Sequence, residues 1–320
     1  MHWLFGGKTL RRLGILGMNR RNAACILDHN PRRLYPLVDD KLRMRDLCVR
    51  IGVPTPAIYA ALTSHSQLRD LGRLLEGRDD FVLKPARGSA GRGILVVIGR
   101  DGNCFLRHSG DRLSPDDVRQ HVSDILSGMY SLGGQPDHAM IQQRVHLHPA
   151  FTPIAFKGIP DVRVVLYRSE PAMAMLRLPT KTSGGRANLH QGGIGAGVDL
   201  ATGITRHAVQ HNRFADRHPD TGRSLIGFEV PFWPRVLDMS RQVAAAVGLG
   251  FVGVDIVIDA DSGPMLLEAN ARPGLAIQIA NARGLLPRLA EIDALKDRPR
   301  AEVETPAIAG FIGTRLRKSA

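Results

Sequence analysis

Three cysteines in 320 residues, Cys25, Cys48 and Cys104, are too few and too far apart for a disulfide framework, and none sits in a C-x-x-C pair that would suggest zinc. Aromatics are scarce as well, at 5%, and no stacking motif of the kind that reads single-stranded nucleic acid is visible. No apolar run approaches the roughly 18 residues of a membrane span. The start, Met1-His2-Trp3-Leu4-Phe5, meets Gly6, Gly7 and Lys8 without the apolar core or cleavage site of a secretory signal. These absences predict a globular chain in a cytoplasmic setting, with no membrane and no role for the thiols. Acid is the scarcer charge: 30 Asp and Glu against 43 Lys and Arg leave a formal net charge of +13, which suits a polyanionic partner such as nucleotide phosphates, nucleic acid or an acidic peptide. That charge is spread along the chain. Its local runs, at Arg11, Arg12, Arg20, Arg21, Arg32 and Arg33 and again at Arg315, Arg317 and Lys318, read most simply as solvated faces.

What is present is a hairpin that joins strand pattern to acid. Two β-branched, apolar runs, residues 252–258 and 265–269, flank the turn cluster Asp259-Ala260-Asp261-Ser262-Gly263. A turn centred between Asp261 and Ser262 sets Asp255 across from Glu268, with Asn270 two residues on along the same face. Two carboxylates and an amide suit a hard cation such as Mg²⁺, which keeps waters or phosphate oxygens for its other positions. The same residues could also be a strand cap and a solvated face. An acid inside V-G-V-D-I-V-I needs a partner once buried, however, and a metal is one way to supply it.

Further elements follow in order. Residues 39–51 have helical spacing and stop at Gly52 and Pro54. A second helix is expected over 66–76. The strand 81–84 ends on Lys84 and opens into Gly88-Ser89-Ala90-Gly91-Arg92-Gly93, followed by a strand at 94–98. Strand, glycine-rich loop and strand is the layout of a phosphate-covering hairpin, because glycines let backbone N–H groups approach an anion. Residues 99–113 are turn-rich. Ser114-Pro115-Asp116-Asp117 opens a helix to about Leu126. Strands are expected at 141–145, 161–168 and 172–178, a long glycine-rich loop at 180–197, and helices at 234–247 and 284–294. Gly7-Lys8-Thr9 is not a P-loop, since His2 stands where that motif needs its first glycine. His146 and His148 lack a third ligand and stay unassigned, and His190 reads as a loop residue.

Taken in order over about residues 39–286, these motifs resemble the ATP-grasp superfamily, and within it the RimK-type glutamate-ligase branch. The residues that carry the resemblance are Asp40-Lys41 ahead of I-G-V-P-T-P, Lys84 with its glycine loop, Q-Q-R-V from Gln142, D-V-R from Asp161, R-A-N-L-H-Q-G-G from Arg186, and the hairpin. The resemblance implies an α+β, ATP-grasp fold in which two α+β subdomains grip ATP between antiparallel sheets, with a shortened N-terminal region. On that basis residues 1–38 are a short extension, 39–290 the ATP-grasp domain dividing at 140/141, and 291–320 a tail. Lys41 and Lys84 would hold phosphates under a lid of Gly88, Ser89, Gly91 and Gly93. Gln142, Gln143 and Val145 would grip adenine at a hinge. Asp255, Glu268 and Asn270 would bind Mg²⁺, or Mn²⁺ in its place, and Arg163, Arg186 and Asn188 would act at the reacting centre.

The implied activity is that of an ATP-dependent carboxylate–amine ligase working through an acylphosphate, with glutamate as substrate. Its partners would be amino-acid or peptide carboxylates and amines. A protein partner in place of the short N-terminal region and a homo-oligomer are both compatible with it, and nucleic acid is not expected. The alternative is a non-catalytic nucleotide-binding partner or scaffold of the same fold, which has no need of the metal triad. Two departures stand out. Gln143 occupies a position where the family usually has glutamate, and only 40 residues precede Lys41.

Overall fold

The structure, a computed structural model, describes residues 12–88, 91–131 and 134–297, so Ser89 of the expected lid lies outside the described residues. Among these residues the strands form three antiparallel sheets. The first has four strands in the order β1 (Ile58–Leu62), β7 (Ala139–Gln142), β2 (Phe81–Pro85), β3 (Leu95–Val97). Helix α2 (Pro115–Leu126) covers it, capped by Ser114 in a reciprocal capping box with Asp117. Its inward stripe of Val118, Val122 and Ile125 packs on Phe81, Leu83 and Ile141.

Seven strands make the second sheet, in the order β12 (Arg213–Phe214), β11 (Thr205–Gln210), β10 (Ile194–Val198), β9 (Glu170–Leu178), β8 (Asp161–Tyr167), β13 (Phe251–Asp259), β14 (Gly263–Asn270). Both faces are covered. Helix α3 (Trp233–Val247) lays Val236, Met239 and Val243 on one, joined by Met44 and Cys48 of α1 (Lys41–Ile51). Residues from Leu16 to Ile26 and from Ile277 to Ile292 cover the other. The buried thiols of Cys25 and Cys48 are pushed up to about 11 by burial, which leaves them protonated packing groups. No helix among the described residues is long and apolar enough to cross a membrane.

Several expectations need correcting. The turn-rich residues 99–113 form a third, small sheet of β4 (Gly99–Asp101), β5 (Cys104–Leu106) and β6 (Arg112–Leu113), whose strands are too short to show a period. The helix expected over 66–76 is a 3₁₀ segment, His65–Asp70, with only Leu71–Leu74 α-helical. The strand expected at 141–145 lies at Ala139–Gln142. The glycine-rich stretch is a loop only as far as Gly193. Beyond it Gly195 and Gly197 belong to β10, where a Cβ on Gly197 would stand 2.5 Å from the Ala280 carbonyl oxygen. These glycines let the short helix Ile277–Ala280 lie directly on the sheet. Strands β11 and β12 had no sequence expectation. The last helix, α4 (Leu286–Lys296), runs past residue 290.

Candidate nucleotide and metal site

The β13–β14 hairpin brings Asp255 opposite Glu268, as its sequence suggests, but by a different route. The turn is centred on Asp261, with Asp259 paired to Gly263, and that register would set Asp255 against Leu267. A bulge follows: Ile256 pairs with Leu266 and Asp255 with Glu268, so Leu267 is the extra residue. Because side chains alternate with period two, this one insertion turns Glu268 and Asn270 to the face that carries Asp255. Asn270 Nδ2 then lies 3.4 Å from both Asp255 Oδ2 and Glu268 Oε1.

Asp255 is 1% exposed and sits in a row of charge across three strands. Arg163, its register partner on β8, donates from Nε to Oδ1 at 2.7 Å and from Nη2 to Oδ2. Arg177 on β9 donates from Nη2 to Oδ2 at 2.7 Å and from Nε to Asp161 Oδ1. Burial alone would raise the Asp255 pKa; the two guanidiniums outweigh it and hold it at about 2. Asp161 moves the other way, pushed up by burial and by Asp255 against the pull of Arg177. Sequence reasoning passed over Arg177. The signal that would have found it is the one that finds Asp255, a lone charge in an apolar strand, A-M-A-M-L-R-L.

Lys84 on β2 is 7% exposed, and its ammonium makes no hydrogen bond or ion pair with any described residue. Burial first, then the positive charge of Lys41, push its pKa down to about 7, with Glu268 pulling the other way. Lys41 opens α1. Asp40 caps that helix by accepting from the Leu42 and Arg43 N–H groups, worth about 1 kcal/mol. The Lys41 ammonium donates to the Gly88 carbonyl at 2.9 Å, so the root of the glycine-rich loop closes over it. Further along that loop Gly93 has φ +72°, and a Cβ there would strike the Tyr130 ring. Gly91 approaches Arg186, whose Cδ lies 3.9 Å from the position a Cβ would take. The lid therefore meets the 180–193 loop at Arg186, which is exposed. Asn188 shapes that loop: its Oδ1 accepts from His190 N at 3.0 Å, and its carbonyl accepts from Gly193 N at 2.9 Å.

Between the two sheets is a narrow cleft lined by Lys41, Met44, Arg45, Thr55, Pro56, Ile58, Lys84, Met140, Gln142, Leu266 and the bulged Leu267. Apolar side chains share that lining with the cations Lys41, Arg45 and Lys84, which suits a flat heterocycle with a phosphate chain. Of the three hinge residues only Gln142 lines it; its amide donates to the Pro56 carbonyl at 3.3 Å. Gln143 accepts at Oε1 from Ala57 N, a bond a glutamate would make equally well. Val145 packs on Val257 and Met265 instead. His146 and His148 do not share a site: His146 pairs with Asp80 at 2.9 Å, and His148 stacks edge-on against Phe232.

No group of three or more His, Cys, Asp or Glu side chains among the described residues could cage a metal. The Asp255, Glu268 and Asn270 set supplies two carboxylates and an amide oxygen, too little for a closed cage and enough for Mg²⁺ that also binds phosphate. An ionised, buried Asp255, held by Arg163 and Arg177, and a Lys84 ammonium without a hydrogen bond or ion pair to a described residue fit a magnesium–nucleotide complex.

A cleft between two antiparallel sheets, with a cationic lid on one and a carboxylate hairpin on the other, defines the ATP-grasp class. Within that class the chain belongs to the sugar-transfer associated ATP-grasp family, which it matches over residues 20–294. It is similar to the ribosomal protein bS6–L-glutamate ligase of Salmonella paratyphi B, 24% identical over 271 residues, which are 85% of this chain and 65% of that protein. The chain thus spans 65% of the length of this curated relative. Among solved structures it resembles a RimK domain ATP-grasp protein of Sphaerobacter thermophilus, with 13% identity, TM-score 0.45 and coverage of 82% of this chain and 70% of that one. It also resembles D-alanyl-alanine synthetase A of Vibrio cholerae, with 10% identity, TM-score 0.47 and coverage of 81% and 61%.

Proposed function

We propose that the chain is an ATP- and Mg²⁺-dependent carboxylate–amine ligase, with glutamate as the carboxylate substrate. The observation that carries this reading is Lys84, a buried side chain whose ammonium makes no hydrogen bond or ion pair with a described residue, in the cleft that Lys41 and the bulged Leu267 also line. A substrate carboxylate attacks the γ-phosphorus of ATP and releases ADP; an amine then attacks the acylphosphate carbon and releases phosphate. The attacking groups belong to the substrates, so no side-chain nucleophile is required. Lys41 and Lys84 neutralise phosphate oxygens, and Arg163 and Arg186 stabilise charge on the transferring phosphoryl group. Asp255, Glu268 and Asn270 would hold Mg²⁺, which when bound supplies further charge neutralisation and alignment of the phosphates. Asn188 keeps the Arg186 loop in shape.

The test is phosphate release from ATP and Mg²⁺, screened against amino acids, peptides, amino sugars and their pairs, with Glu268→Gln as blank. Amino sugars are included because the family is described as associated with sugar transfer. Release should require a carboxylate and an amine together, and Glu268→Gln should lower it by about 100-fold or more with the fold intact. Wild-type turnover in that variant would remove the metal assignment. A second reading, nucleotide binding without turnover, is supported by the complete engagement of Asp255 with Arg163 and Arg177. It gains if ATP binds and no pair gives release above the blank.

A further inference from the structure

The N-terminal segment, expected to be a short extension, is fastened on both sides of Arg21, to the short helix Ile277–Ala280 and to the second sheet. At one end Leu16 N donates to Gln278 Oε1 at 2.8 Å, and Gln278 Nε2 donates to Leu16 O at 3.0 Å. At the other, Asn30 bridges two chain segments: its amide donates to the carbonyls of Phe251 at 2.7 Å and Ala271 at 3.0 Å, and its oxygen accepts from Phe251 N. All of these are buried. Between the anchors Arg21–Leu27 forms a π-helix, a rare geometry that is frequent at functional sites.

This fastening brings Arg21 to the turn that leaves β14. Arg21 Nη1 donates to the Pro273 carbonyl at 3.1 Å, and the neighbouring residue, Arg272, lies over the Tyr35 ring at 5.1 Å. Neither guanidinium forms an ion pair with a described carboxylate. The Arg21 pKa is lowered by burial and then by the charge of Arg272, and the bond to Pro273 sets the Arg21 guanidinium beside the residue next to Arg272. Asp39 interacts with both Arg272 and Lys41, and burial pushes its own pKa up. Arg272 is two residues past Asn270, so at most about 7 Å of chain separates it from the metal donors.

We propose that Arg21 and Arg272 form a subsite for a second carboxylate of the acyl substrate, which selects a dicarboxylate over a monocarboxylate. Two guanidiniums suit this, since each is a planar fork of N–H donors matched to a carboxylate; that of Arg21 holds the exposed Asn22 Oδ1 from Nε at 3.1 Å and Nη2 at 2.8 Å, the place a substrate carboxylate oxygen would take. The nucleotide phosphates already have Lys41, Lys84 and the metal donors, and the other anion in the reaction is the substrate acid. The identity of the anion rests on the ligase reading; the place of its binding does not.

The experiment is thermal unfolding of the full chain in low salt with glutarate, butyrate or inorganic phosphate, for wild type, Arg272→Gln, Arg21→Gln and the control Arg119→Gln on the solvent face of α2. Glutarate should raise the wild-type and control midpoints and butyrate should not. Either arginine variant should weaken the glutarate effect by roughly ten-fold or more in concentration. An undiminished glutarate shift in Arg272→Gln, or no glutarate shift in wild type, overturns the subsite. An equal response to butyrate overturns the dicarboxylate selection, and a larger response to phosphate that is lost in the same variants overturns the carboxylate assignment. The ATP–Mg²⁺ shift of the same proteins separates the two levels of the account: its absence in wild type removes the ligase reading, and the glutarate series still decides the subsite.

Discussion

Lys84 and Arg177 are both cations folded into a β-sheet, and their surroundings treat them oppositely. Arg177 is held between Asp161 and Asp255 on its own sheet. Lys84 has no described partner, and burial pushes it down to about 7. A buried charge whose counter-ions come with the fold fixes geometry. One left without them is a cost that a ligand can offset, which is why such groups mark sites.

The comparison breaks most visibly at Arg177. Arg177→Met strands Asp161 beside Asp255, and the loss should be about 3–5 kcal/mol by urea unfolding. Adding Asp161→Asn should recover part of it; a single-variant loss under about 1 kcal/mol would mean that the network is not coupled. Deleting Leu267 comes next. Removing the extra residue makes Glu268 the direct successor of Leu266 and so leaves it opposite Asp255; any Mg²⁺-dependence of nucleotide affinity, measured by titration with and without the metal, should survive, and its loss would mean that the bulge itself shapes the donor set.

Lys84→Met should act in the opposite sense to Arg177→Met. The folded-state pKa lies near 7 and the unfolded value near 10.5, so between those limits the unfolded chain binds more protons. Wild-type stability should therefore rise through that window relative to the variant. Below pH 7 the methionine protein should be the more stable, by a few kcal/mol at about 1.4 kcal/mol per unit, with the gap closing towards pH 10.5. Urea melts below, within and above the window check this. The smallest effect belongs to Gln143→Glu, which keeps the acceptor for Ala57 N; nucleotide affinity and stability should change by less than about 0.5 kcal/mol.

The carboxylate hairpin was legible because period-two alternation survives in a nine-residue strand and an acid in it stands out. Its pairing came out correctly only because an unforeseen bulge offset a misplaced turn centre. The capped helix at Ser114 was legible for a local reason, its own side chains forming the cap. Gly195 and Gly197 were not, since glycine in a mobile loop and glycine beneath a packed helix have the same letters, and the helix that distinguishes them lies about 80 residues away along the chain. The same holds for Arg21: it belongs to a basic run that reads as surface, and only the anchors at Gln278 and Asn30, formed with remote segments, bring it to Arg272. The three-residue strands of the small sheet carry too little pattern for any periodicity to show.

The central claim is that Lys84 is buried without a hydrogen bond or ion pair to any described residue because a phosphate is its partner. Thermal midpoints of wild type and Lys84→Met, each with and without ATP and Mg²⁺, test it directly. The account predicts that the methionine protein is more stable without nucleotide and gains far less from it than wild type does. A methionine protein that is less stable alone and gains as much from ATP would contradict it.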